Sequence, residues 1–244
     1  MQQSYIAIDI ETTGLDVKRD RITEIGAIRV ENGAESAQFH TLVNPHRMLE
    51  PRIVKLTGIT DEMLTGAPDV GEVIGELVAF CRDLPLLGHH ILFDYRFLKQ
   101  AAINQRLTFE KNGIDTLTIC RRMMPKEEKK NLENACAYFG VPREQAHRAL
   151  GDARDAHRLF LRLCAAAKPE DEEAFLPRPL TCRVKREQPA TKRQKEGLRY
   201  LLKYHKIELP VQIDDLSRSE VSRYVDRIIL HYGRIPEEVV RRGE

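Results

Sequence analysis

The chain of 244 residues has no tryptophan and no apolar run near the roughly 20 residues that a membrane helix needs. A helical membrane span is therefore excluded, and no membrane partner is expected. Its start leads straight into a strand-like run, without a basic stretch followed by an apolar one, so no signal peptide is expected. Cys81, Cys120, Cys136, Cys164 and Cys182 lie far apart and form no C-x-x-C pair. An odd, scattered set argues against a disulfide framework or a zinc site, and reads as reduced thiols in a cytoplasmic protein. Internal repeats and low-complexity tracts are also missing. What remains is ordinary globular composition, long enough for a full α/β core with a small extra module.

Charge is unevenly spread. Between Thr181 and Lys206, Arg183, Lys185, Arg186, Lys192, Arg193, Lys195, Arg199, Lys203 and Lys206 face only Glu187 and Glu196. That segment carries +7 in a chain of net +2, so the remainder carries −5. A basic segment on a mildly acidic body points to a polyanion partner, and equally to a solvated linker and helix face.

Strand patterns open the chain at Tyr5–Ile10, Ile22–Val30 and Gln38–Val43, the last two joined through Asn32-Gly33, a hairpin turn signal. They predict an antiparallel meander. Helical spacing follows in Val70, Val73, Ile74, Leu77, Val78 and Cys81, starting near Pro68-Asp69. Leu84–Gly88 suits a short buried strand, and Phe93 to Ala102 a helix. "GIDTLTIC" is expected to open a strand near Ile114. Asn131–Phe139 reads as a helix stopped by Gly140, and Leu150–Ala167 as a helix with Ala156, Leu159, Phe160 and Leu163 on one face. A meander followed by strands interleaved with helices implies an α/β domain with a mixed sheet over residues 1–167. Residues 168–190, rich in proline and charge, are expected to form a linker or an extended tail. Residues 191–244 are expected to form a small helical module.

The chemistry starts at "YIAIDIETTGL". Ile6, Ile8 and Ile10 alternate with Ala7, Asp9 and Glu11, the period of a strand with two faces. Residues i and i+2 of a strand point the same way, about 6.6 Å apart, so Asp9 and Glu11 project side by side. Two carboxylates so close repel unless a cation lies between them, and a hard Mg²⁺ or Mn²⁺ takes oxygen ligands. Alone, D-x-E also describes many solvated strand faces. "LLGHHILFDYRFL" puts Asp94 at a helix start, and "HRALGDARDAHRLF" puts His147 five residues before Asp152, again at a helix start. Singly, these aspartates read as helix-capping groups and the histidine as an ordinary loop residue.

In order, however, the three stretches read D-x-E, H-x-x-x-F-D and H-x-x-x-x-D. Over Ser4 to Ala167 this resembles the DEDD-type 3′–5′ exonucleases of the ribonuclease-H-like superfamily, in the subclass with a histidine in its last motif. "RITEIGAI" and "LTGIT" strengthen a likeness to the proofreading epsilon subunits of bacterial DNA polymerase III. The resemblance implies a ribonuclease-H-like fold in which Asp9, Glu11, Asp94 and Asp152 hold two Mg²⁺ or Mn²⁺ ions roughly 4 Å apart. It implies that His147 acts as general base, its pKa being naturally near neutrality. Thr12, Thr13 and Gly14 would meet the terminal nucleotide, Leu15 the last base, and His89 would belong to the substrate site. One departure is His90, where family members usually carry asparagine after Gly/Ala-His.

The implied activity is 3′–5′ hydrolysis of single-stranded DNA ends to nucleoside 5′-monophosphates, in proofreading or repair, with a DNA polymerase as a candidate partner. An exoribonuclease trimming RNA 3′ ends fits the same site. A catalytically inactive nucleic-acid-binding protein is the reading from another class, and it should have lost a carboxylate. No clamp-binding peptide is evident, which argues against membership of a replicase. Asp215–Gly233 faintly resembles the helical motif of SAP-like nucleic-acid-binding modules, with a packing or protein-interaction appendage as the other reading.

Overall fold

A computed structural model describes residues 2–143 and 147–236. The strands are β1 (Tyr5–Thr12), β2 (Ile22–Glu31), β3 (Ala34–Leu42), β4 (Leu86–Gly88), β5 (Asn112–Asp115) and β6 (Arg178–Pro179). The helices are α1 (Pro51–Thr57), α2 (Asp61–Leu64), α3 (Val70–Cys81), α4 (Leu92–Asn104), α5 (Thr116–Met123), α6 (Leu132–Tyr138), α7 (Ala149–Ala166), α8 (Lys192–His205) and α9 (Arg218–Tyr232). The strands form one sheet in the order β3-β2-β1-β4-β5-β6. β1, β2 and β3 pair antiparallel, β4 lies parallel to β1, β5 parallel to β4, and β6 antiparallel to β5. The mixed sheet read from the sequence is present.

Alternation along β1 sorts side chains to two covered faces. Ile6, Ile8 and Ile10 pack with Ile74 and Leu77 of α3 and Leu98 of α4. Tyr5 and Ala7 pack on the other face with Leu159, Phe160 and Leu163 of α7. The second face is thus not open to solvent: α7 covers it as far as Ala7, and Asp9 and Glu11 lie beyond, half-buried, at the N-terminal end of that helix. The hydroxyl of Tyr5 bonds His157 Nδ1 of α7 at 2.8 Å.

Local signals set most boundaries. Asp69 and Glu72 form a reciprocal capping box at the start of α3. Gly140 ends the α6 region with φ +67°, a left-handed conformation that glycine adopts without steric cost. Two readings need correction. "GIDTLTIC" leaves the strand at Asp115, whose side chain accepts from the Leu117 N–H at 3.0 Å and caps α5. The cap overrides the β-branched residues Thr116, Thr118 and Ile119. The region between β3 and α3, given no element from the sequence, contains α1 and α2; Pro51 opens α1 and Gly58, at φ +70°, closes it.

Compact units comprise Met1–Pro45 with Leu49–Lys185, and His46–Met48 with Arg186–Glu244. Residues 168–190 hold a 3₁₀ turn, Pro169–Phe175, and the edge strand β6. The second unit has its own core of Leu198, Leu201, Leu202, Leu216, Val221 and Ile228. Ser217 and Glu220 cap α9 reciprocally. Residues 237–244 of the expected helical module lie outside the described residues. Among the described residues no helix is long and apolar enough to cross a membrane.

Candidate active site

β1, β4 and β5 run parallel, and their carboxyl ends come together where the sheet's order turns from antiparallel to parallel neighbours. Such a junction is the usual place for a ligand crevice in an open α/β sheet. β4 pairs with β1 only at Ile6 and Ala7. Further along β1, the Ile10 N–H donates instead to Asp94 Oδ1 at 3.1 Å, in the first turn of α4. Asp94 is thereby fixed against β1, and it is buried.

Asp9, Glu11 and Asp152 converge: one carboxylate oxygen from each lies within 4.8 Å of the others. Asp94 is not part of that triplet, although its charge acts on Asp9. Burial pushes the Asp9 carboxyl well above its usual range, and the charges of Asp94, Glu11 and Asp152 push it further. Burial, then Asp152 and Glu24, raise Glu11 to about 8. Burial raises Asp94 to about 8 against the pull of its backbone hydrogen bonds. Asp152 is also raised by burial, with the Arg143 guanidinium opposing it. An oxygen-only donor set that repels itself suits a hard divalent cation, whose charge would relieve that repulsion. The residues present therefore fit Mg²⁺ or Mn²⁺.

Asp152 is held on both oxygens. Arg143 Nη2 donates to Oδ1, and the His147 backbone N–H donates to Oδ2 at 3.1 Å. His147 itself is exposed and sits at φ +60°. It lies near enough that its positive form favours an ionised Asp152. The β1–β2 loop is closed by its own polar groups. Thr12 Oγ1 donates to the Gly14 carbonyl at 2.6 Å, while Thr13 Oγ1 donates to Asp20 and accepts from the Arg21 N–H. Leu15 projects from this loop with 85% of its surface exposed. His89 has both ring nitrogens engaged, with Thr116 Oγ1 at 2.9 Å and the Lys130 carbonyl at 2.6 Å. His90 adopts φ +74°, a region that asparagine and histidine tolerate better than most residues. Its N–H donates to Asp115 Oδ1, so the backbone there keeps a partner.

Three supporting groups escape a sequence reading. Glu24 on β2 is fully buried and accepts from Arg148, from the Ala149 N–H at 3.0 Å and from His40 at 2.7 Å. Burial raises its pKa, but those hydrogen bonds outweigh it and the net shift is downward. Glu24 thus ties the start of α7 to β2. Its only sequence signal was a carboxylate inside the apolar run "ITEIGAI". Arg143 and Asp155 form a buried pair behind Asp152, with Nε to Oδ2 at 2.8 Å.

The family model for RNase T, described as an exonuclease, matches residues 6–160. This chain belongs to that exonuclease family. The Aquifex aeolicus DNA polymerase III subunit epsilon is 34% identical over 161 residues, covering 66% of this chain and 80% of that protein. The Bacillus subtilis DNA polymerase III PolC-type is 37% identical over 165 residues, 66% of this chain but 11% of that protein. The exonuclease chain spans about an eighth of the length of the PolC-type relatives it matches. In fold it resembles E. coli exonuclease I in complex with a dT13 oligonucleotide, with a TM-score of 0.60 at 17% identity over 70% of this chain and 43% of that one. It also resembles a 3′-exonuclease solved for 3′-end specific recognition of a histone mRNA stem-loop, with a TM-score of 0.57 at 18% identity over 68% of this chain and 83% of that one. At these identities the likeness shows the ribonuclease-H-like fold.

Proposed function

We propose that this family member is a metal-dependent 3′–5′ exonuclease that hydrolyses single-stranded DNA ends to nucleoside 5′-monophosphates. The convergence of Asp9, Glu11 and Asp152 at the carboxyl ends of the parallel strands carries this reading. These three, with Asp94 beside them, would hold two Mg²⁺ or Mn²⁺ ions. When bound, such ions supply a water of lowered pKa and neutralise charge on the departing 3′ oxygen. The chain's own groups do the rest. Asp94 stays fixed by the Ile10 N–H, and the Asp152 carboxylate stays oriented by the His147 N–H. His147, exposed beside Asp152, takes the proton of the attacking water as general base. The closed Thr12-Thr13-Gly14 loop offers backbone groups to the terminal nucleotide, and Leu15 an apolar contact to its base. With both ring nitrogens engaged, His89 would meet the substrate by packing rather than through a ring N–H.

The epsilon relative favours proofreading beside a polymerase, and the lack of an evident clamp-binding peptide favours repair outside a replicase. The basic segment and the capped helix α9 make residues 191–244 a candidate nucleic-acid grip. A second reading, an exoribonuclease, fits the same site, and the fold is shared by enzymes solved with DNA and for recognition of an mRNA stem-loop alike. Burial raises Cys81, Cys120 and Cys136 to about 12, far from reactive thiolates, which supports reading them as core thiols of a cytoplasmic enzyme.

The test is a gel of a 5′-labelled single-stranded DNA oligomer with Mg²⁺ or Mn²⁺, beside EDTA and Asp9→Ala controls. A ladder shortening from the 3′ end, lost in both controls, is expected. An intact DNA oligomer with a degraded RNA counterpart would move the assignment to RNA, and two intact substrates would defeat the enzymatic reading.

A further inference from the structure

The metal-ligand reading of Asp152 leaves Arg143 without a role in the chemistry, yet its position is specific. Its side chain is 12% exposed and bridges two buried carboxylates on α7, Asp152 at 9% and Asp155 at 3%. Asp152 and Asp155 are three residues apart, so both carboxylates sit on one helix face and a forked guanidinium can span them. Arg158 approaches the other oxygen of Asp155, Oδ1, at 3.7 Å. Arg143 is thus anchored on Asp155 and reaches forward to the one acid of the pair that belongs to the convergent triplet.

We propose that Arg143 is a resident counter-cation of the metal site: it occupies Asp152 in the metal-free enzyme and yields that oxygen when a divalent ion enters, while Asp155 retains it. This rests on the exonuclease reading of the triplet. Both Asp152 oxygens carry hydrogen bonds, so an ion that takes this carboxylate meets a guanidinium already on it. An ordinary orienting partner in a metal site is a neutral donor or a carboxylate that supports the ligand, and losing it weakens metal binding by about 10- to 100-fold. A cation in that place does the opposite, because it opposes the incoming charge. Arg143 would therefore hold the carboxylate cluster together without metal, while weakening metal affinity. Asp155 sets the balance, since its negative charge holds the guanidinium back.

Opposite signs in two variants test this. Mn²⁺ binding is titrated by electron paramagnetic resonance on the full chain, without substrate, and melting is followed with and without Mn²⁺. Arg143→Gln should bind Mn²⁺ about tenfold more tightly than the unaltered chain, because a like charge is removed, melt at a lower temperature without metal and gain more from adding it. Asp155→Asn should bind Mn²⁺ more weakly, because Arg143 is then left with Asp152 alone. Weaker or unchanged Mn²⁺ binding in Arg143→Gln overturns the proposal and makes Arg143 a plain orienting group. If Arg143→Gln does not fold without metal, Asp155→Asn decides: binding equal to or tighter than the unaltered chain overturns it. Failure of the unaltered chain to bind Mn²⁺ at all would instead defeat the metal reading of the triplet.

Discussion

Asp9 shows how one residue can be costly to the fold and necessary to the site. It lies at the exit of a strand whose preceding odd-numbered residues, Tyr5 and Ala7, are core. Burial and four neighbouring carboxylates oppose its ionised form. Removing the charge while keeping the shape should therefore separate stability from activity. Asp9→Asn is expected to lose about a thousandfold or more in turnover, the several kcal/mol that a metal supplies to a developing charge. The same variant should be more stable than the parent in EDTA at pH 8, because burial and the neighbouring carboxylates disfavour the ion that asparagine does not form. Urea titration in EDTA beside a turnover assay would check both. A destabilised Asp9→Asn would mean that the carboxylate has a structural partner.

At the scale of elements, the site depends on how β1, β2 and α7 are locked together. Asp9 lies opposite Gly26 in the β1–β2 register. A Cβ on Gly26 would lie 2.1 Å from the Leu150 backbone nitrogen, so only glycine lets the first turn of α7 approach β2 this closely. Asp152 sits in that same turn. Gly26→Ala should push the turn outward, costing about 1–3 kcal/mol by overpacking and weakening Mn²⁺ binding through displacement of Asp152 from Asp9. Urea unfolding and Mn²⁺ titration would show the two losses together; intact metal affinity in a destabilised variant would mean that α7 shifts without moving Asp152. The triplet itself was legible in the sequence, because strand spacing puts Asp9 beside Glu11 and because an ordered set of motifs matched a family. The lock was not. Glu24 and Arg148 stand 124 positions apart, and no local period connects them. Arg143 and Asp155 likewise belong to no motif. The strand expected to open near Ile114 is present but ends at Asp115 for a related reason: a single cap there outweighs the β-branched composition that follows.

Two effects belong to the whole molecule. One is charge on the helical unit. Lys192, Arg193 and Lys203 are exposed on α8, Lys192 with Glu196 at 3.9 Å, and Lys195 and Arg199 are bonded to Asp214. If the unit grips single strands, reversing the first three to glutamate should lower the salt slope of binding by about 2, at roughly 0.7 per phosphate contact. Fluorescence anisotropy of a labelled oligomer in EDTA at several salt concentrations measures it, and an unchanged slope would assign the surface to a protein partner.

The other is the linkage between protons, metal and stability. Asp9, Glu11, Asp94 and Asp152 all have folded pKa values above their ordinary ones, with Glu11 and Asp94 near 8. The native state then binds more protons than the unfolded chain between about pH 4 and pH 8. Stability without metal must fall as pH rises through that window. Glu24 works in the other direction, since its lowered pKa adds stability above its ordinary value that acid removes. The two effects oppose each other, so metal-free stability falls on both the acid side and the alkaline side. A divalent ion reverses the upper half of this curve, because it binds the carboxylates the protons have left and competes with them below. At 100 times its Kd an ion adds about 2.7 kcal/mol, or roughly 5–10 °C in Tm for a chain of this size. The Mn²⁺-induced rise should be near that range at pH 8 and less than half of it at pH 5.5. Calorimetry of the EDTA-treated and Mn²⁺-loaded chain at both pH values separates the outcomes. An equal rise at the two would show that the acids bind metal without first giving up protons, and that their crowding is relieved by other groups.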